Sequence, residues 1–182
     1  MATLTTFSPR KIFNRDNITE SKIVENLSDS SKTYENTISA CGSLFYTIED
    51  NKLKLLLINY TDINWPRLDD FGGKIDMTDM SVFDSMVREV SEETNNIITS
   101  DYLNMKINEN TTTFYNKQSK YYVWLINVNN NEFQDTSIFG NIEISDNIER
   151  NIKWYDFNEI KNKLAFRLLN NKELMNYLVS FN

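Results

Sequence analysis

The chain has 182 residues, of which 40% are hydrophobic and 13% aromatic, with a net charge of −7. A chain this long can bury roughly 70% of its unfolded surface, so the composition describes a folded domain and excludes disorder. The acidic balance, without a long basic block, argues against a duplex-DNA binder. With one cysteine and no histidine, an internal disulfide, a Ser-His-Asp triad, a Cys-His pair and a two-histidine zinc site are all excluded. The available chemistry is that of carboxylates, lysine, tyrosine and hard metal ions. No apolar run approaches the ~20 residues that span a bilayer, and Met1 to Arg10 does not read as a signal peptide. The expectation is a soluble, cytoplasmic protein with no membrane partner. The abundance of asparagine and scarcity of glycine and proline point to an AT-rich genome, such as that of a large DNA virus or an AT-rich microbe.

Residues 1–36 read as a polar extension, with a short helix over Ile18 to Leu27. The domain is expected over 37–182. Ser39 to Ile48 and Leu53 to Tyr60 read as strands joined by the polar turn Glu49-Asp50-Asn51-Lys52, the second apolar on both faces as a central strand would be. Cys41, inside the first run, reads as a buried structural thiol. A loop from Trp65-Pro66-Arg67 ends in Phe71-Gly72-Gly73-Lys74, which holds half of the four glycines. Such a pair in a glycine-poor chain marks tight turning or close backbone approach.

From Ser81 to Asn95 the period turns helical, with Val82, Met86, Val87, Val90 and later Ile97 as the anchoring stripe, and Asp79 or Ser81 as the cap. Thr111 to Tyr115 and Tyr121 to Val128 read as further strands, and Asn129 to Asn147 as a long loop over the site. A short strand at Ile152 to Tyr155 leads to helices over Asn158 to Leu164 and Lys172 to Phe181. Strands and helices follow one another without regular βαβ alternation, which predicts a mixed α/β sandwich.

The helix carries Arg88-Glu89-Val90-Ser91-Glu92-Glu93. Spacings of three and four put the three glutamates along one helical edge, with Arg88 one turn before Glu92. Clustered carboxylates repel unless cations lie between them, and Mg²⁺ or Mn²⁺ accepts such oxygen ligands. A divalent ion held this way can bridge phosphate oxygens and activate water. Gly72-Gly73 upstream lets main-chain groups approach the same place.

Gly73 to Asp79, followed by Arg88-Glu89-Val90-Ser91-Glu92-Glu93-Thr94-Asn95, resembles the Nudix box. The family pattern is Gly, five residues, Glu, seven residues, Arg-Glu, an aliphatic, any residue, Glu-Glu, any residue, Gly. The flanks Ser39 to Gly42, Trp65-Pro66 to Gly73 and Trp154 to Ile160 resemble the family as well, so the likeness covers about residues 37–165. Asp79 stands for the first Glu, eight residues instead of seven separate it from Arg88, and Asn95 replaces the last Gly. The resemblance implies a Nudix-type α/β/α sandwich with a mixed central sheet. It also implies a metal-dependent pyrophosphohydrolase acting on a nucleoside diphosphate linked to another group. Metal ligands would be Glu89, Glu92, Glu93 and the Gly73 carbonyl, and Arg88 would orient a glutamate. A loop carboxylate would join them, with Glu149 the first candidate and Glu143 and Asp146 the alternatives. Expected partners are a small nucleotide or diphosphate, with a diphosphoinositol or capped RNA as further options, and the chain would act as monomer or homodimer. Phe45, Trp65, Tyr115, Tyr122 and Trp124 are aromatics that could stack on a base, though most belong to the core. The competing reading is a catalytically silent Nudix fold that binds a nucleotide or nucleotide-sugar as a sensor.

Overall fold

In the computed structural model the described residues are 38–60, 67–108, 111–129 and 131–181. The expected N-terminal extension with its helix, and the Trp65-Pro66 lead-in, lie outside them. The chain begins with two long antiparallel strands, β1 (Ala40–Glu49) and β2 (Lys52–Tyr60), joined through Asp50 and Asn51. Both turn residues have positive φ, which Asn and Asp tolerate better than most side chains. Two short strands follow, β3 (Leu68–Asp69) and β4 (Phe71–Lys74), then helix α1 (Val82–Glu93) and helix α2 (Ser100–Lys106). Strands β5 (Thr112–Asn116) and β6 (Tyr121–Asn127) form a hairpin. A 3-10 turn at Thr136–Phe139, strand β7 (Ile142–Glu143) and strand β8 (Ile148–Asp156) come next. Three short helices close the chain: α3 (Phe157–Ile160), α4 (Phe166–Leu169) and α5 (Lys172–Val179).

The sheet runs β5-β6-β1-β2-β8-β7, and among the described strands the β1–β6 pair alone is parallel. Along one edge of β1 the partner changes. Phe45–Glu49 pairs with β2, whereas Ala40–Ser43 pairs with β4. The sheet forks at Leu44, and Asp69 and Asp70 lie in the fork because β3 stays with β2 while β4 crosses to β1.

Side chains alternate between two cores. Cys41, Phe45, Leu56, Ile58, Tyr122, Trp124 and Ile126 face the α1–α2 side with Met86, Val90 and Leu103. Leu44, Leu53, Leu55, Leu57, Val123 and Leu125 face α3 to α5 with Phe157, Leu168, Leu174 and Leu178. Burial of each such large side chain contributes about 1.5–3 kcal/mol. The three layers are helix, mixed sheet, helix, as the sequence pattern predicts. Three details differ from expectation. Past the end of α1 it is Ile98, fully buried, that continues the apolar side, and Ile97 is exposed. The late strand is longer than four residues because Arg150 and Ile152 continue the inward alternation. The segment at 129–147 is not structureless, since it contains the 3-10 turn and β7. Among the described residues no helix is long and apolar enough to cross a membrane.

Candidate metal and diphosphate site

Helix α1 starts at Ser81, whose Oγ accepts a hydrogen bond from the Asp84 amide at 3.1 Å. Before it, the loop 75–80 is folded around Asp79. One Asp79 oxygen accepts from the Asp76 amide at 2.8 Å and from Ser85 Oγ at 2.6 Å. Arg88 donates to both Asp79 oxygens, from Nε at 3.1 Å and from Nη2 at 3.0 Å. Its Nη2 also reaches the Lys74 carbonyl at 3.0 Å, and Nη1 bonds Glu89 at 2.9 Å and Glu92 at 3.0 Å. A planar fork with five N–H donors meets that geometry, and an ammonium does not. These contacts hold Asp79 well ionised: burial pulls the other way, but the bonds from Arg88, Ser85 and Asp76 outweigh it.

Gly73 sits directly below Glu89. A Cβ built there would lie 2.5 Å from both Glu89 oxygens, so glycine is what allows strand and carboxylate to touch. Glu89 is raised above the ordinary carboxylate range, chiefly by burial and against the pull of Arg88. One turn on, Glu93 is buried; its Oε1 accepts from Tyr60 Oη at 2.9 Å and its Oε2 has no partner. Burial pushes Glu93 well above its usual value, with Asp70 and Glu143 adding to the shift and Arg167 opposing it. Glu92 is the most open of the three, with 41% of its side chain exposed.

Of the loop carboxylates, Glu143 is buried and Glu149 and Asp146 are exposed. Glu143 acts electrostatically on Glu93, Tyr60 and Arg150, whereas Glu149 pairs with Ile142 on the outer face of the β7–β8 ladder. Glu143 is thus buried within electrostatic reach of Glu93 on α1, and the first-choice Glu149 lies exposed. Strand alternation explains the exposure of Glu149. Arg150 points inward, so its neighbour Glu149 points out.

Asn95 takes the left-handed conformation at the end of α1, with φ 53°. Its side chain adds what glycine could not. Nδ2 donates to the carbonyls of Phe139 (2.9 Å) and Ile142 (2.8 Å), and Oδ1 accepts from the Ile144 amide (3.0 Å).

No family model and no curated protein matches the sequence. Among solved structures, the chain is similar to a C. elegans Ap4A hydrolase in a binary complex. Identity is 19%, with 79% of this chain and 96% of that one covered at a TM-score of 0.50. This is the Nudix fold. Weaker likenesses include the Nudix domain of Shewanella oneidensis NrtR complexed with ADP ribose, at 18% identity, 88% and 99% coverage and TM-score 0.45. A Nudix hydrolase from M. smegmatis, RenU, follows at 10% identity, 79% and 87% coverage and TM-score 0.46.

The residues whose sequence resembles the Nudix box, Gly73, Asp79, Arg88, Glu89, Glu92 and Glu93, lie on β4, the following loop and α1. Among the described residues no three acidic groups already converge as a ready-made metal cage. The reason is visible: Glu89 and Glu92 are turned onto Arg88, and Glu93 onto Tyr60. A hard divalent ion does not need a complete protein cage, because Mg²⁺ keeps several waters and binds through one or two carboxylates plus phosphate. The donor set is all oxygen, it has one buried carboxylate oxygen open, and glycine leaves room beside a second carboxylate. These residues fit such an ion.

Tyr60, Arg150 and the group Asp69, Asp70, Tyr121 and Arg167 do not stand out in the sequence as site residues. Arg150 is fully buried and donates to the carbonyls of Phe139 and Gly140 at 3.0–3.4 Å. An arginine at an inward position of a strand was the available signal. The pair Asp69-Asp70, set between Leu68 and Phe71 just before Gly72, was another.

Proposed function

We propose that this chain is a metal-dependent pyrophosphohydrolase that cleaves the diphosphate linkage of a nucleoside diphosphate joined to another group. The observation that carries the reading is the Arg88 hub. One guanidinium binds Asp79, the Lys74 carbonyl, Glu89 and Glu92 together, beside a glycine shaped to Glu89 and a buried Glu93 with a free oxygen. That much fixed negative charge on one helix edge costs stability unless a cation offsets it.

In this reading Glu89, Glu92, Glu93 and the Gly73 carbonyl hold Mg²⁺ or Mn²⁺. When bound, such an ion neutralises charge on the diphosphate and lowers the pKa of water. Arg88 fixes the loop and the helix relative to one another, so the carboxylates keep their spacing when substrate enters. Glu92, the most open carboxylate, would be free to hold such an ion or to accept a proton from water if it released Arg88. Glu143 takes the role of the loop carboxylate, in place of Glu149, because it shares a buried surrounding with Glu93 and Tyr60. The protein acts in this reading as a small-molecule hydrolase, with capped RNA and diphosphoinositols as further substrates to be screened.

The test is hydrolysis with Mg²⁺ and with Mn²⁺, its nucleotide and phosphorylated products resolved by chromatography, across nucleoside triphosphates, nucleotide sugars, dinucleoside polyphosphates, diphosphoinositols and capped RNA. Glu92→Gln serves as the comparison. The expected result is metal-dependent cleavage of one class, reduced about 100-fold or more in Glu92→Gln. Wild-type protein that binds a nucleotide tightly yet cleaves none of these would overturn the proposal in favour of a sensor.

A further inference from the structure

Arg167 lies on α4, on the opposite side of the sheet from α1, and it reaches into the fork between β2 and β4. Its position is built by the chain before it. The Leu68 amide donates to the Lys163 carbonyl (3.0 Å) and the Ala165 amide to the Leu68 carbonyl (2.8 Å), so 163–165 docks along β3. The guanidinium then makes four contacts inside the fork. Nε donates to Asp70 Oδ1 at 2.9 Å, and Nη2 reaches Asp69 Oδ1 at 3.0 Å, the Gly72 carbonyl at 3.1 Å and the Asp70 carbonyl at 3.3 Å. Tyr121 completes the group, donating to Asp70 Oδ2 at 2.7 Å with its ring 4.6 Å below the guanidinium.

Two features connect this group to α1. Arg167 holds the carbonyl of Gly72, the residue before the one that touches Glu89. The backbone there has little freedom, since a Cβ on Gly72 would strike the Cys41 carbonyl and Gly42 Cα. Arg167 also acts electrostatically across the fork on Glu93 and Glu89. Asp69 and Asp70 are both buried, and two buried carboxylates would drive one another apart without a shared cation.

We propose that Arg167 is a positioning residue for the metal site: by clamping Asp69, Asp70 and the Gly72 carbonyl from behind the sheet, it fixes where Gly73 and Glu89 meet. This rests on the metal-site reading above. Charge and geometry make opposite predictions, which gives the idea its test. If Arg167 mattered only through its charge, removing it would leave α1 more negative and tighten metal binding, and lysine would be equivalent. If it positions β4, losing the fork weakens metal binding whether or not the charge is kept.

The experiment is titration of the full chain with Mn²⁺, following free Mn²⁺ by electron paramagnetic resonance. Wild type, Arg167→Met and Arg167→Lys are compared, each well below its melting midpoint and checked for native near-ultraviolet dichroism. The expected result is a Kd about tenfold weaker in both variants. Tighter binding by Arg167→Met, or wild-type Kd in Arg167→Lys, overturns the proposal. If Arg167→Met does not fold, Arg167→Lys decides it alone. Wild-type protein that neither binds Mn²⁺ nor cleaves any diphosphate overturns the metal-site reading itself, and the positioning role with it.

Discussion

Replacing Gly73 with alanine adds one methyl group where Glu89 now lies, and the structure sets the size of the effect. The new Cβ would sit 2.5 Å from both carboxylate oxygens, whereas ordinary contact begins at 3.4 Å. The atoms in the way are the far end of a flexible side chain, so Glu89 retreats by about 1 Å and the strand stays where it is. A displacement of that size at a reacting centre costs about 100-fold in rate, or roughly 2.7 kcal/mol of barrier. Folding should suffer far less, by about 1 kcal/mol. Gly72→Ala is the matched control. Its methyl would meet the Cys41 carbonyl and Gly42 Cα, backbone atoms that cannot yield without parting β1 from β4. That variant should lose about 3 kcal/mol of stability or fail to fold. The assay is metal-dependent formation of the cleavage products at saturating substrate, resolved by chromatography and paired with urea unfolding. Gly73→Ala with near wild-type kcat, or with as large a stability loss as Gly72→Ala, would refute the reasoning.

Two further outcomes follow from contacts away from Gly73. Asn95→Gly keeps a residue suited to positive φ but removes three hydrogen bonds to 139–144. It should cost about 1–2 kcal/mol and speed amide exchange in that segment alone. Unchanged protection there would mean that Asn95 does not hold the Glu143 segment. Glu132 accepts bonds from Lys106 Nζ (2.7 Å), the Asn129 amide (2.8 Å) and Tyr102 Oη (3.2 Å). Burial alone would raise its pKa, but these donors outweigh it and the net shift is downward. A carboxyl lowered by folding stabilises fully above its unfolded value of about 4.3 and loses that contribution as pH falls through the folded value. Glu132→Gln should therefore be about 1 kcal/mol less stable than wild type at pH 7, with the gap closing below about pH 4. Urea midpoints across that range check it, and a gap independent of pH would contradict it.

Much of this architecture is legible in the sequence because local patterns and tertiary needs agree. The β1–β2 hairpin, β6, α1 and α5 all carry their period openly, and Arg88 with its glutamates is read directly from helical spacing. What is not legible depends on contacts between distant residues. Helix α2 has a single fully buried side chain, Leu103, so its periodicity is faint. Strands β3 and β4 are short, and nothing local shows that β1 changes partner at Leu44. The exposure of Glu149 turns on the direction of one strand pleat, with Arg150 at the inward position. Arg167 stands 97 residues from its partner Asp70, and only the docking of 163–165 along β3 brings them together.

The five N–H groups of Arg88 also set how the loop before it has to be built. Asp79 is one methylene shorter than the glutamate of the family pattern, and the stretch before Arg88 is one residue longer. Yet the carboxylate still meets the guanidinium with both oxygens. The short arm of Asp79 and the length of the loop before Arg88 therefore act as one fitted unit. A longer carboxylate at position 79, at the same loop length, would be pushed out of its contacts with Asp76, Ser85 and Arg88. Residue 79 and the loop length have to be altered together if those contacts are to be kept.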